Sequence, residues 1–317
     1  MNKTGYFTHP ACRRHDMGRG HPECPARLDA IDDRLLLTGV LDALERVEAP
    51  AADETDLLRA HSPGHIARLR ALDARLAADV LAGGPEHAAI DPDTNICPQS
   101  LEAALRAAGA AIAATDAVAT GALANAFCAV RPPGHHAEHD RAMGFCLFNN
   151  VAIGVRRALE VHGMERVAVI DFDVHHGNGT EDILAGDERV LMVGLFQHPL
   201  YPFSGTEAPA GNMLNLPVPA YTRGPAIREL VLQKWLPRLE AFRPEMVFIS
   251  AGFDAHREDE LGQLGLVEAD FAWITEQIHA VAARHAGGRI VSCLEGGYAL
   301  DALACSVEAH VRVLAGI

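Results

Sequence analysis

The sequence predicts an α/β fold built on a parallel sheet with helices on both of its faces. Short β-branched apolar runs alternate with longer amphipathic runs, which is typical of parallel strands joined by crossover helices. No internal repeat or Ser/Gly-rich linker divides the 317 residues. Because 49% of them are hydrophobic, a chain of this length can bury a large core, so we expect residues 1–317 to form one domain.

Five runs have the composition of buried strands, and seven have the pattern of amphipathic helices. The predicted strands are Ala126–Val130, Val167–Val174, Val190–Phe196, Met246–Ala251 and Arg289–Leu294. The predicted helices are Ala26–Val47, Pro63–Leu81, Ser100–Thr120, Asn150–His162, Pro225–Phe242, Glu268–His285 and Leu300–Leu314. In parallel α/β sheets, ligands bind beyond the carboxyl ends of the strands, so functional side chains are expected there.

The composition argues against several classes of partner. The 27 Lys+Arg against 42 Asp+Glu give a net charge of −15, whereas nucleic-acid binders cluster basic residues. The seven cysteines are scattered without a CxxC pair, as expected of reduced thiols in a cytoplasmic protein. The N-terminus lacks a secretion signal, and the apolar stretch Ala107–Val130 is rich in Ala and Gly and contains Asp116. We therefore expect a cytoplasmic protein with neither a nucleic-acid nor a membrane partner.

The predicted strand Val167–Val174 brings two carboxylates and an imidazole to its end. Side chains alternate along a strand, so Asp171, Asp173 and His175 are expected on one side. Buried charges need a partner of opposite charge, and a bound cation would provide it.

A second predicted strand, Met246–Ala251, is followed by Asp254. If these two strands are neighbours, Asp173, His175 and Asp254 supply three ligands and leave a fourth position open, as a catalytic zinc requires. The same donor types also suit Fe²⁺, Co²⁺ or Mn²⁺. On its own, Asp254 has an equally good explanation as a helix cap.

Two further strand ends carry chemistry. The loop after Ala126–Val130 contains Pro-Pro-Gly followed by His135 and His136, and a histidine beside a metal-bound water is a typical general base. The run Arg289–Leu294 leads into Glu-Gly-Gly and Tyr298, whose hydroxyl can donate to an oxyanion. Each motif alone is common in loops and turns. Four of them at four strand ends favour a mononuclear metallohydrolase.

Together these motifs resemble the zinc-dependent histone deacetylase superfamily, close to the bacterial class II-type histone deacetylase-like amidohydrolases and the acetylpolyamine amidohydrolases. The similar segments follow the family order and span almost the whole chain: His21–Leu28, Arg131–Ala137, Gly144–Asn150, Asp171–Thr180, Ser250–Asp254 and Glu295–Tyr298. The resemblance implies an arginase/deacetylase fold, with a parallel sheet of about eight strands in a single catalytic domain.

The resemblance also implies the roles of the site residues. One Zn²⁺ per chain would be bound by Asp173, His175 and Asp254. The implied catalytic residues are His136 as general base and then acid, Asn178 orienting it, His135 beside Asp171 as electrostatic partner, and Tyr298 polarising the amide carbonyl. The implied substrate-binding residues are Gly134, Phe145, Tyr201, Asp93 (or Asp91), Leu261 and Gly297, with Arg27 near the acetate exit.

A K⁺ site is implied at Asp171, Asp173, His175 and Leu195. The chain departs from the family there, because the usual Ser-Leu-His is Gly194-Leu195-Phe196. In the family the serine contributes to this site, so Gly194 removes one contributor, and Phe196 in place of the histidine removes a polar group near it.

The implied reaction removes acetyl or other acyl groups from the side-chain amine of acyl-lysine in proteins or peptides. The alternative substrate is an acetylpolyamine. Leu261 stands where the polyamine-selective branch has a glutamate, and the segment 83–96 is short for the dimerising loop of the bacterial polyamine enzymes, so we favour acyl-lysine. The net charge suits both cationic substrates, and the sequence does not distinguish oligomeric states.

Two hypotheses from other functional classes remain. An arginase-like enzyme with two metals is disfavoured because Asn178 stands where another carboxylate is needed. A non-catalytic binding module is disfavoured because every residue of the implied mechanism is present.

Overall fold

A parallel eight-stranded sheet forms the centre of the molecule. The computed structural model describes residues 3–317. The strands of this sheet are β1 (Thr4–Thr8), β2 (Glu45–Glu48), β5 (Asn125–Cys128), β6 (Val167–Asp171), β7 (Val190–Gln197), β8 (Met213–Val218), β9 (Met246–Ala251) and β10 (Ile290–Leu294). Their spatial order is β2-β1-β5-β10-β9-β6-β7-β8, and all neighbours run parallel. A separate antiparallel hairpin joins β3 (Ala88–Ala89) to β4 (Asn95–Ile96).

Ten α-helices occur in residues 3–317. They are α1 (Ala26–Leu37), α2 (Glu54–Leu57), α3 (Pro63–Leu81), α4 (Ser100–Ala119), α5 (Asn150–Glu160), α6 (Asn178–Leu184), α7 (Gly224–Leu230), α8 (Leu236–Phe242), α9 (Glu268–His285) and α10 (Leu300–Ala315). Short 3₁₀ turns cover Pro10–Arg13 and Val40–Ala43, and a π-helical turn at Val231–Trp235 joins α7 to α8. In this part of the chain, no helix combines the length and hydropathy needed to cross a membrane.

Helices cover both faces of the sheet. Phe248 on β9 packs against α5 at Gly154, while Ser292 on β10 bonds to α10. Ser292 lies in register with Ile249, and successive strand residues point to opposite faces. The helices α5 and α10 therefore lie on opposite sides of one sheet, as the sequence predicts.

The predicted helix Ala26–Val47 is wrong in its second half. The helix α1 ends at Leu37, and Gly39 adopts a left-handed conformation (φ 72°) just after it. Glycine takes this conformation without steric cost, which ends the helix. The chain then makes a 3₁₀ turn and forms β2, an edge strand whose charged residues do not have the composition of a buried strand.

His310 connects α10, α9 and the sheet through a buried hydrogen-bonded chain. The hydroxyl of Thr275 donates to the carbonyl of Phe271, so it accepts from Nδ1 of His310 at 2.7 Å. Nε2 of His310 therefore accepts from the Ser292 hydroxyl at 2.9 Å. Burial lowers the pKa of His310 to about 3, so the imidazole is neutral at physiological pH.

This burial makes stability depend on pH. Below pH 6.5 the unfolded chain protonates this histidine while the native protein does not until about pH 3, so acid favours unfolding. The expected loss is about 1.4 kcal/mol per pH unit. We expect His310→Gln to flatten this dependence in denaturant unfolding measured between pH 7 and pH 4. The control is His279→Gln, at a half-exposed position of α9. Parallel stability curves for wild type and His310→Gln would contradict the assignment.

Candidate active site

The four motifs meet at the carboxyl ends of four adjacent strands. These strands are β5, β10, β9 and β6, at the centre of the sheet. The predicted ligand set requires the strands before Asp173 and Asp254 to be neighbours. They are, because β6 and β9 pair directly and bring both aspartates to the same end of the sheet.

The strand β6 ends at Asp171, three residues earlier than predicted. Asp173 and His175 therefore do not lie on a strand, and the expected alternation does not place them. Instead, Oδ1 of Asp171 accepts from the backbone N of Asp173 at 3.1 Å, and Oδ1 of Asp173 accepts from that of His175 at 2.9 Å. Such local carboxylate bonds compete with the ladder and end the strand.

Asp173, His175 and Asp254 form a compact group of ligand atoms. One N or O atom from each lies within 4.8 Å of the others. Nδ1 of His175 is 3.0 Å from Oδ1 of Asp173 and 3.2 Å from Oδ2 of Asp254. The backbone of Gly296 packs directly against this group, because a Cβ at residue 296 would lie only 2.0 Å from Oδ2 of Asp254.

The electrostatics of this group fit a divalent cation. Oδ2 of Asp254 is buried and accepts no hydrogen bond within residues 3–317. Burial and the charge of Asp173 raise the pKa of Asp254 to about 7. Burial lowers the pKa of His175, but the adjacent carboxylates of Asp173 and Asp254 outweigh this effect and raise that pKa to about 10. A cation between the three would satisfy the free oxygen and both charges.

His136 is held with one nitrogen free. Its Nδ1 lies 2.7 Å from Oδ1 of Asn178, whose amide nitrogen donates to Glu138 at 2.8 Å. Because Glu138 orients the amide, Nδ1 of His136 carries the proton and Nε2 carries the lone pair. Burial and the charges of His135 and His175 hold the pKa of His136 well below its usual range, which keeps the imidazole neutral.

His135 has the opposite electrostatic character. Its Nδ1 lies 3.0 Å from Asp171 and its Nε2 lies 3.7 Å from Asp173. Burial opposes protonation, but the charges of these two carboxylates outweigh it and raise the pKa of His135 well above its usual range. The rings of His135 and His136 are 4.0 Å apart, so a cationic and a neutral imidazole stand side by side.

Tyr298 enters the site from the loop after β10. Its hydroxyl makes no hydrogen bond to any residue from 3 to 317, and burial raises its pKa well above its usual range. It is therefore a protonated donor. Its backbone N and that of Ala299 both donate to Oδ2 of Asp259, at 2.6 and 3.1 Å.

These groups line one cavity of about 400 Å³. His135, His136, His175 and Tyr298 reach it, together with four of the residues expected to bind substrate: Asp93, Phe145, Tyr201 and Leu261. The Tyr201 ring stands edge-on to His136 at 5.2 Å, and the Phe145 ring is 6.0 Å from Tyr298. Apolar side chains and prolines, among them Phe145, Leu200 and Leu261, line the rest of the cavity together with a few further polar residues.

Comparison with known proteins decides the family. The sequence profile of the histone deacetylase domain matches residues 21–314. The chain belongs to the histone deacetylase family. It is accordingly an amidohydrolase of a metal-dependent family.

Relatives come from all three domains of life. The histone deacetylase-like amidohydrolase of Pseudomonas aeruginosa is 40% identical over 88% of this chain and 73% of its own length. The probable deacetylase of Archaeoglobus fulgidus is 36% identical over 94% and 82%. The polyamine deacetylase HDAC10 of Mus musculus is 37% identical over 93% of this chain but only 45% of its own. Among solved structures, the HDA15 HD domain superposes with a TM-score of 0.90 at 32% identity, covering 99% of this chain and 88% of that one.

Two predicted lining residues do not reach the cavity of this deacetylase-family protein. Gly134 and Gly297 lie beside it, and Pro133 and Gly296 line it instead. Gly134 packs against the start of α5, because a Cβ there would lie 2.5 Å from the backbone N of Asn150. Of the two aspartates left open, Asp93 lines the cavity, whereas Asp91 bonds to the backbone N of Asp93 at 2.9 Å.

Three carboxylates that support the site were not assigned from the sequence. Asp259 holds the Tyr298 backbone, Glu138 orients Asn178, and Oε2 of Glu295 accepts from the backbone N of Gly134 at 2.6 Å. The sequence signals were present but ambiguous. Asp259 lies in a run of three acidic residues that resembles a solvated loop, and Glu295 lies inside a matching family motif.

On β7 the chain departs from the family at Gly194 and Phe196, and packing explains only Phe196. The Phe196 ring lies 4.7 Å from that of His176, next to the ligand-group residue His175. Gly194 pairs with Asp171 and is buried, yet a Cβ built there would meet no atom within 4 Å. The serine expected there would therefore fit, and nothing in the packing explains its loss.

Arg27 lies behind Tyr298 in a fully buried charge cluster. Its guanidinium carbon is 4.9 Å from the Tyr298 ring centroid, and its Nε donates to the carbonyl of Gly297 at 2.6 Å. Glu23 pairs with both Arg27 and Arg131, which balances part of the buried charge.

Removing one ligand charge should abolish tight metal binding. We expect Asp254→Asn to weaken affinity by at least about 100-fold, since losing even an indirect partner of a ligand costs 10–100-fold. Metal content after dialysis, measured by atomic emission, checks this. Asp301→Asn, at an exposed position on α10, is the control. Full metal content in Asp254→Asn would show that the ion binds elsewhere.

Proposed function

We propose that this protein is a Zn²⁺-dependent deacylase that removes acetyl or other acyl groups from lysine side chains in proteins or peptides. The observation that carries the proposal is the convergence of three features on one cavity. These are the ligand group, the lone pair of His136 and the free hydroxyl of Tyr298. The catalytic domain is proposed to span residues 1–317 and to act in the cytoplasm.

In this proposal Asp173, His175 and Asp254 hold one Zn²⁺. When bound, Zn²⁺ polarises the acyl carbonyl and lowers the pKa of a water molecule. Fe²⁺ and Co²⁺ suit the same donors. Asp171, Asp173, His175 and Leu195 are retained as the proposed K⁺ site.

The protein's own groups then divide the proton transfers. Nε2 of His136 accepts the proton of the attacking water and afterwards gives it to the leaving amine, while Asn178 keeps the ring oriented. Tyr298 donates a hydrogen bond to the carbonyl oxygen as negative charge develops there. The neutral state of His136 and the protonated state of Tyr298 are the states these roles need.

Acyl-lysine is favoured as substrate because Leu261 places an apolar side chain on the cavity wall. A carboxylate in that position would attract the second cationic group of a polyamine, and leucine gives no such attraction. Acetylpolyamines remain the second candidate because a relative named polyamine deacetylase shares 37% identity with the chain.

The catalytic assignment predicts two large losses with the fold retained. We expect His136→Ala to lower kcat/KM by about 10²–10⁴-fold, and Tyr298→Phe by about 10²–10³-fold. Both variants should keep the wild-type metal content and unfolding midpoint, because neither residue is in the ligand group. His279→Ala serves as a surface control. Undiminished hydrolysis by His136→Ala would overturn the assignment.

The substrate assignment is tested by comparing acetyl-lysine peptides, longer acyl-lysine peptides and acetylpolyamines as substrates of the zinc-loaded protein. We expect kcat/KM for an acetyl-lysine peptide to exceed that for an acetylpolyamine by about tenfold or more, as one favourable or missing charge contact is worth. A preference of that size for the polyamine would establish the second candidate.

A further inference from the structure

A second cavity lies directly beside the active-site cavity. It has a volume of about 620 Å³ and runs between α3, the β3–β4 hairpin and the turn at residues 140–142. We call it the α3 groove. Leu69, Leu72, Ile90 and Ala142 give it an apolar floor.

Arginines that have no acidic partner line the α3 groove. Arg75 and Arg141 are exposed, and their guanidinium groups make no hydrogen bond or ion pair with residues 3–317. A third arginine, Arg68, already donates to the backbone carbonyl of Asp140. In a chain with a net charge of −15, two free guanidinium groups on one groove are a local reversal of charge.

The carboxylates of the α3 groove are already engaged. Oδ1 of Asp91 accepts from the backbone N of Asp93 at 2.9 Å and of Thr94 at 2.6 Å. Oδ1 of Asp140 accepts from the Ser62 hydroxyl. Asp140 also lies 3.8 Å from the guanidinium of Arg68. Of the three groove arginines, Arg75 and Arg141 are therefore the ones without an ion pair among residues 3–317.

Short segments connect the α3 groove to the active-site cavity. Asp91 lines the groove, and the next two residues, Pro92 and Asp93, line the cavity. On the other side Ala142 lines the groove and Gly144 lines the cavity. A peptide whose acyl-lysine occupies the cavity can therefore extend into the groove.

We propose that the α3 groove binds an acidic side chain of the peptide that carries the acyl-lysine, and this rests on the function proposed above. Arg75 and Arg141 supply planar guanidinium donors that match a carboxylate, and the apolar floor packs against its methylene groups. The same cations repel a polyamine. The α3 groove thus selects acidic sequences around the modified lysine.

The experiment compares acyl-lysine peptides that carry a single Glu or Gln at successive positions on either side of the lysine. At the position that reaches the groove, Glu should lower KM about two- to fivefold, as expected for an exposed ion pair. The value of kcat should not change, because the groove does not touch the reacting groups. The double variant Arg75→Gln, Arg141→Gln should remove the preference and leave the Gln peptide unaffected. Arg46→Gln is the matched control, since Arg46 is exposed on β2 and its guanidinium makes no ion pair within the described residues 3–317.

The possible failures separate the two proposals. Equal KM values for Glu and Gln peptides at every position, or a preference that persists in the double variant, refute the α3 groove alone. Failure to hydrolyse any acyl-lysine peptide refutes the proposed function. In that case the anisotropy of fluorescent Glu and Gln peptides still tests the groove, because only binding is measured. Equal affinity of the two peptides for wild type would then refute it as well.

Discussion

The arrangement of the site depends on the burial of two carboxylates beside one imidazole. Asp173 and Asp254 are buried beyond the carboxyl ends of the central strands β6 and β9, and burial of like charges is unfavourable without a counter-charge. Oδ2 of Asp254, which accepts no hydrogen bond from residues 3–317, indicates the same need for a counter-charge. The two carboxylates come close together only because strands β6 and β9 pair in register. The core that holds these strands together therefore also places two negative charges side by side, which a bound cation would neutralise.

The neighbouring histidines follow from the same charges. His135 lies against two carboxylates and is cationic, and that cation in turn helps to keep His136 neutral. One buried cluster therefore sets two adjacent imidazoles to different protonation states. The two histidines come from the same loop and are both buried. Their different protonation states therefore result from the charges around each ring.

The sequence predicted the parts of the molecule in which local pattern and tertiary environment agree. The buried strands β6, β9 and β10 have apolar runs that only a core accommodates, and their polar ends identified the ligand group. The strands β1, β2 and β8 were missed. β2 is a charged edge strand, and β8 contains Pro217 and half-buried residues, so neither has a buried-strand composition.

The supporting contacts of Asp259 and Glu138 join residues about 40 positions apart. No local pattern encodes such pairs, and the α3 groove likewise forms only where α3 and the β3–β4 hairpin meet the distant turn at residues 140–142.

In the proposed function, the bonds of Asp259 link the choice of substrate to the rate of reaction. Through its two oxygens this one carboxylate holds the backbone of Leu261, on the cavity wall, and that of Tyr298, at the reacting centre. An insertion or a shift of the backbone between residues 258 and 262 would remodel the wall, but it would also displace the tyrosine. At this part of the wall, a change of specificity is therefore expected through an exchange of the Leu261 side chain on a fixed backbone.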